Sequence, residues 1–194
     1  MPRTGLRAAE LRARAIDVAM SRVQRDGFEK VRLSDVARAL GISHAALYAH
    51  FDGRDALLEA VTARWLSETE AALAPICNAD LPASDRIEQW FVQRYRLKRA
   101  RALTDPQVYR AFDAAAALRT PHVQAHLATI RGQLEGLLGD AEPQVGTPFD
   151  RATLLLAATA PFHHPKLIAD HADQDREPLL RHIVRAMLAS FVAG

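Results

Sequence analysis

The side chains best suited to recognition chemistry in this chain fall within residues 31–58, VRLSDVARALGISHAALYAHFDGRDALL. Wound as a helix, His44 and Tyr48 face one way with Ala45 and Ala49, while Leu47 and Phe51, four apart, face the other. An imidazole and a phenol can reach base edges, and hydroxyl and guanidinium groups can hold phosphate. Arg32, Ser34, Ser43, Ala46, His50 and Arg54 complete the candidate set. The chemistry on offer is non-covalent. The chain has no nucleophile elbow, no phosphate loop and no paired carboxylates with a matched histidine, so no catalytic residue and no cofactor is assigned and an enzyme is not expected.

Those groups need a rigid mount, and the flanking residues supply one. Val36, Ala37 and Leu40 put apolar groups on one face of a helix that ends at Gly41, the residue best able to adopt positive φ. Ile42 packs at the turn, and Ser43 is a good N-cap for a helix over His44–His50. A short helix, a glycine turn and a capped second helix are the parts of a helix-turn-helix, whose second helix enters the major groove.

The stretch resembles the N-terminal domain of the TetR/AcrR repressors at Asp35-Val36-Ala37, Gly41-Ile42-Ser43, Leu47-Tyr48, His50-Phe51, Arg54 and Leu57-Leu58, reaching back to Gly27-Phe28. The resemblance implies an all-α homodimer, with a three-helix DNA-binding domain at residues 1–53 and a helical ligand-binding and dimerisation domain at 54–194. It further implies a regulator of transcription that binds double-stranded DNA at a palindromic operator and is released by a small-molecule effector. The alternatives are an activator, or a ligand-binding adaptor with weak or no operator specificity. In this reading Tyr48, His50 and Arg54 contact phosphate, and His44 with Ala45 meets base edges, in two grooves roughly 34 Å apart.

Three positions depart from the family pattern. Arg32 stands where Ser or Thr usually opens the first helix of the motif, and Asp35 in the first turn partly offsets the lost cap through the helix dipole. Arg54 replaces the usual Lys, keeping the charge in a forked form. The outward face of the reading helix holds three alanines, Ala45, Ala46 and Ala49, which cannot hydrogen-bond a base. DNA shape and phosphate contacts are therefore expected to supply much of the specificity.

Composition agrees with close-packed helices: 49% of the 194 residues are apolar and only 6% aromatic. Residues 1–60 carry ten Lys or Arg against eight Asp or Glu, and the remainder is balanced, so the net charge of +2 lies at the DNA-binding end. One such module would bind DNA weakly, which favours doubling by dimerisation. Cys77 is the only cysteine, so neither a disulfide framework nor a cysteine zinc site is expected. No apolar run reaches membrane-spanning length and no signal-peptide core is present, so a cytoplasmic protein without membrane partners is expected.

Periodicity predicts a leading helix over 7–26, a long helix from Arg54 towards Cys77, and a loop at 78–84. A helix over Asp85–Ala102 follows, then a restart at Pro106 with Val108, Phe112 and Ala116 as its stripe. Another helix runs from Pro121, frayed by Gly136 and Gly139, before a loop over 143–148. The segment Phe149–Ala160 is apolar nearly all round, and the last helix follows Pro178. As the resemblance implies, these two segments pair with their copies through Leu154, Leu155, Ala158, Leu180, Ile183, Val184, Met187, Leu188 and Phe191. The alternative is that they complete a monomer core.

Trp90, Arg94, Tyr95, Phe112, Phe162 and His163 are the candidate ligand-binding residues, although the aromatic ones could equally be core. Arg94, Lys98 and Arg101 share a helical face within a basic cluster that includes Arg96 and Arg99. That face either binds an anionic ligand or is solvated and balanced by Asp105 and Glu88. His163, His164 and His171 lack metal-ligand spacing, so no metal site is assigned. Pro161 and Pro165 instead put them at a bend near a ligand cavity or the dimer interface.

Overall fold

Leu11, Ala15, Ile16, Ala19 and Val23 recur at helical spacing and are buried along one side of α1, Ala8–Asp26. The computed structural model describes residues 7–104, 106, 109, 120–139 and 150–192, and all regular structure among them is helical. Gly27 takes φ 83°, and its N–H caps α1 on Val23 O. A 3₁₀ turn at Phe28–Lys30 then leads into α2, Leu33–Leu40. α3, His44–Tyr48, and α4, Arg54–Cys77, complete the N-terminal bundle. Val36, Leu47, Leu57 and Val61 are wholly buried in its core, with Phe51 beside them.

The second half comprises α5 at Ala83–Thr104, α6 at Pro121–Gly139, α7 at Arg151–Ala158, a 3₁₀ turn at Ala160–Phe162, α8 at Pro165–Asp170 and α9 at Glu177–Val192. Its core gathers Leu73, Ile87, Trp90, Leu134, Leu155 and Leu180. α4 therefore serves both cores, through Leu57 and Val61 at one end and Leu73 at the other. Its 24 residues span about 36 Å at the helical rise, enough to link the two regions with one rigid rod. Glu88 on α5 accepts from both Arg181 and Arg185 on α9, and Arg96 reaches Glu177 at 2.6 Å, so charge pairs as well as packing join those helices.

Several boundaries differ from the sequence reading. The second helix of the motif ends at Tyr48, with Ala49 and His50 in a turn, because Phe51 must swing back into the core. α5 starts at Ala83, just after Pro82, and α9 starts at Glu177 with Pro178 in its first turn, where a missing N–H costs nothing. α7 begins later than expected, at Arg151, because Asp150 caps it by accepting from Thr153 N at 2.8 Å. Gly136 and Gly139 do not fray α6, which runs through to Gly139. Val108, Phe112, Ala116, Phe149 and the loop at 143–148 lie outside the described residues.

The dimer-face expectation needs the largest correction. Leu155, Leu180 and Val184 are wholly buried, and Phe191 nearly so, within a single chain. They pack against α5 and α6 residues such as Trp90 and Leu134 and are unavailable to a second copy. Only Leu154, Ala158, Ile183, Met187 and Leu188 keep partial exposure. Among the described residues, no helix is long and apolar enough to cross a membrane.

Candidate nucleic-acid interface and the interior polar cluster

α3 is held from both ends. Gly41 adopts φ 66°, ψ 28°, and its neighbour Ile42 donates its N–H to Ala37 O at 3.1 Å, the six-to-one bond of a Schellman turn. Ser43 Oγ accepts from Ala46 N at 3.1 Å, satisfying one of the N–H groups that a helix start leaves unpaired. With Leu47 wholly buried beneath, the opposite face of this short helix must point outward. His44 and Tyr48 stand there as one unit, ring centroids 4.7 Å apart and planes at 87°, and Tyr48 is 50% exposed. Ala45 and Ala49 are exposed beside them, while Ala46 and His50 are half-buried.

Arg32 and Ser34 are exposed at the start of α2, and Arg32 makes no capping bond. Asp35 does more than answer the helix dipole: it pairs with Arg38 at 3.1 Å and Arg22 at 3.9 Å, and Arg22 also donates to its carbonyl, tying α2 to α1. Arg54 departs from its expected role as a free phosphate contact. Its Nη2 donates to Phe28 O at 2.8 Å and its Nε to Val31 O at 3.1 Å, while Nη1 faces Asp55. The guanidinium fastens the 3₁₀ turn to the start of α4, a structural task that the family-like position alone did not disclose.

Polar chemistry in the second half is arranged inside out. Arg94 is 4% exposed, and no hydrogen-bond acceptor meets its Nε or Nη1. Its guanidinium lies 5.5 Å from the Trp90 ring. Lys98 Nζ donates to His163 O at 2.6 Å, and Thr159, wholly buried, sits 3.5 Å from His163 Nδ1. Burial, reinforced by Arg94, Lys98 and His164, pushes the His163 imidazole down to about 2, so it is neutral at physiological pH. His126 on α6 meets Glu70 on α4 at 2.7 Å; burial lowers its pKa despite the carboxylate. Gln133 bridges the same region, accepting from Trp90 Nε1 and donating to Glu70 O.

The solvated reading of the basic face is thus corrected. Arg94 is buried, Lys98 and Arg101 are half-buried, and Glu88 serves α9 instead of balancing them. Asp105 lies outside the described residues. Arg101 finds Thr69 at 2.9 Å and Glu68 at 3.2 Å. Trp90, Tyr95 and Phe162 belong to the core; Tyr95 Oη bridges Gln174 O and Arg176 N, and its ring stacks edge-on with Phe162. Phe112 lies outside the described residues. Sequence reasoning missed the Glu70–His126 pair, because its partners stand 56 residues apart. A cleft of about 480 Å³ opens over that pair between α1, α4 and α6, lined also by Arg12, Arg64 and His122. Among the described residues, no three His, Cys, Asp or Glu side chains converge as metal ligands. Burial pushes the Cys77 thiol up, which keeps it protonated.

The comparisons with known proteins match both halves. The family described as "Bacterial regulatory proteins, tetR family" matches residues 15–61, and "Tetracyclin repressor-like, C-terminal domain" matches residues 83–184. No curated protein matches the sequence. A solved transcriptional regulator from Pseudomonas aeruginosa superimposes with a TM-score of 0.70 at 19% identity, covering 97% of this chain and 93% of that one. A TetR-family regulator from Mesorhizobium loti gives 0.63 at 18% identity, covering 97% and 98%. FadR from Bacillus subtilis, solved in complex with stearoyl-CoA, gives 0.63 at 13% identity, covering 90% and 96%. At these identities the structural likeness is one of fold. The family matches go further, since the C-terminal one alone takes in more than half of the 194 residues, and the chain belongs to the TetR family of transcriptional regulators.

Proposed function

We propose that the chain is a homodimeric repressor whose two α3 helices occupy successive major grooves of a palindromic operator and leave it when a small molecule binds the C-terminal domain. One observation carries the reading: the exposed His44–Tyr48 pair stands on a helix capped by Ser43 and anchored by Leu47. A side chain that is half exposed on such a rigid element is built for contact. His44 and Ala45 meet base edges, while Tyr48, His50, Arg32 and Ser34 hold phosphate and set the register. With Ala45, Ala46 and Ala49 unable to hydrogen-bond bases, DNA shape contributes a large share of the preference.

The dimer face in this reading is the half-buried apolar strip of Leu154, Ala158, Ile183, Met187 and Leu188. An isologous contact there provides the two-fold symmetry that a palindrome requires. Release follows from α4, which shares both cores and bears Glu70 at the edge of the interior polar cluster. A molecule that reorders that cluster shifts the rod and changes the spacing of the two reading heads. By linkage, operator DNA weakens the molecule's binding by the same factor. The stearoyl-CoA held by the B. subtilis FadR structure supports a small-molecule effector for a fold of this kind.

Selection of genomic fragments with the purified protein, followed by binding to the best fragment across a salt series, tests the proposal. A palindromic footprint with a steep salt slope is expected. Failure to enrich any fragment over bulk DNA would sink the operator claim.

A further inference from the structure

We propose that the interior of the C-terminal domain binds a small organic acid, an apolar body ending in one carboxylate, whose negative charge pairs with the Arg94 guanidinium. The inference deepens the effector reading above and rests on it for its regulatory meaning.

Every other arginine on α5 has an acceptor. Arg86 donates to Cys77 O, Arg96 to Glu177, Arg99 to Ala172 O and Arg101 to Thr69 and Glu68. Arg94 is the most deeply buried of them, yet its Nε and Nη1 meet no acceptor and no carboxylate lies within ion-pair reach among the described residues. Desolvation lowers its pKa to about 10, still far above neutrality, so the group stays a cation. Its neighbours cannot supply the missing charge. Lys98 is itself cationic, His163 is neutral and the Glu70 carboxylate is bonded to His126. The Trp90 face at 5.5 Å attracts a cation but leaves the N–H donors unpaired.

A buried ion without a partner is costly, and an anion that arrives from outside relieves that cost. One unpaired cation matches one negative charge. The Trp90 ring beside the guanidinium, at the edge of an apolar core, suits an apolar or aromatic body. A carboxylate fits this description better than a phosphate, whose second charge would find no further cation left unpaired by the described contacts.

The test uses the purified full chain with decanoate and phenylacetate as probes, and their methyl esters as uncharged counterparts. Tryptophan fluorescence and thermal melting report binding without DNA. At least one acid is expected to bind on the order of 100-fold more tightly than its ester. Arg94→Met should lose that preference while its unliganded melting temperature rises, since an unpaired buried charge has been replaced by apolar volume. Arg94→Lys, which keeps the charge, should retain part of the preference and guards against misreading a folding failure. Equal binding of acids and esters, no binding of either, or a lower unliganded melting temperature for Arg94→Met overturns the proposal. Operator binding is measured separately by anisotropy without added probe. Its loss would remove the regulatory reading and leave the carboxylate result standing.

Discussion

The two ends of this molecule put their polar chemistry on opposite sides of their cores. In the N-terminal bundle apolar side chains fill the core, and His44, Tyr48, Arg32 and Ser34 lie on the outside, where water solvates them until a partner arrives. In the C-terminal domain Arg94, His126, His163 and Thr159 are drawn inward among aromatic side chains. An exposed recognition surface costs little stability, since its groups remain hydrated when unoccupied. An interior one is held at the expense of desolvation, and the surrounding fold must be strong enough to carry it.

The sharpest way to break that contrast is through the cores. Trp90→Ala should destabilise the C-terminal core by about 3–5 kcal/mol in urea unfolding. Because α4 serves both cores, loss should come as one cooperative transition. Two separated transitions would show that the regions are less coupled than their shared helix implies.

Acid comes next. The His163 pKa is depressed by burial and by Arg94, Lys98 and His164, and that of His126 is depressed by burial. Between the unfolded histidine value near 6.5 and the lower folded value, the unfolded chain binds more protons, so stability falls as pH drops. His163 alone should cost at most about 2 kcal/mol on going from pH 7 to pH 5. His163→Gln should flatten that slope. A slope in His163→Gln equal to that of the unaltered chain would show that this interior histidine does not set the acid sensitivity.

Smaller effects test the mount of the reading helix. Gly41→Ala should cost about 1–2 kcal/mol, from the left-handed backbone alone, because nothing lies within 4 Å of the added Cβ. Ser43→Ala should cost about 1 kcal/mol and weaken operator binding beyond that, by loosening the start of α3. His44→Ala with Tyr48→Ala should change stability by less than about 0.5 kcal/mol while reducing operator affinity. If the double variant loses all sequence preference but keeps nonspecific binding, shape readout is not the main source of specificity.

The helical class, the glycine turn, the Ser43 cap and the inward Leu47 and Phe51 were legible in the sequence. Each depends on neighbours within a turn or two, where helical periodicity and residue type decide the outcome. Local pattern also marked Arg94, Lys98 and Arg101 as one face, but it could not say whether water or protein covers that face. Only the assembly of α4, α6 and α9 with α5 buried Arg94, joined Glu70 on α4 to His126 on α6 and gave Glu88 to α9 instead of to the basic cluster. The same packing took Leu155, Leu180 and Val184 from the expected dimer face into the subunit core, because an apolar stripe names a buried face without naming what buries it. Capping and turn chemistry are written in adjacent residues; burial and charge pairing across 56 or 93 positions are properties of the folded chain.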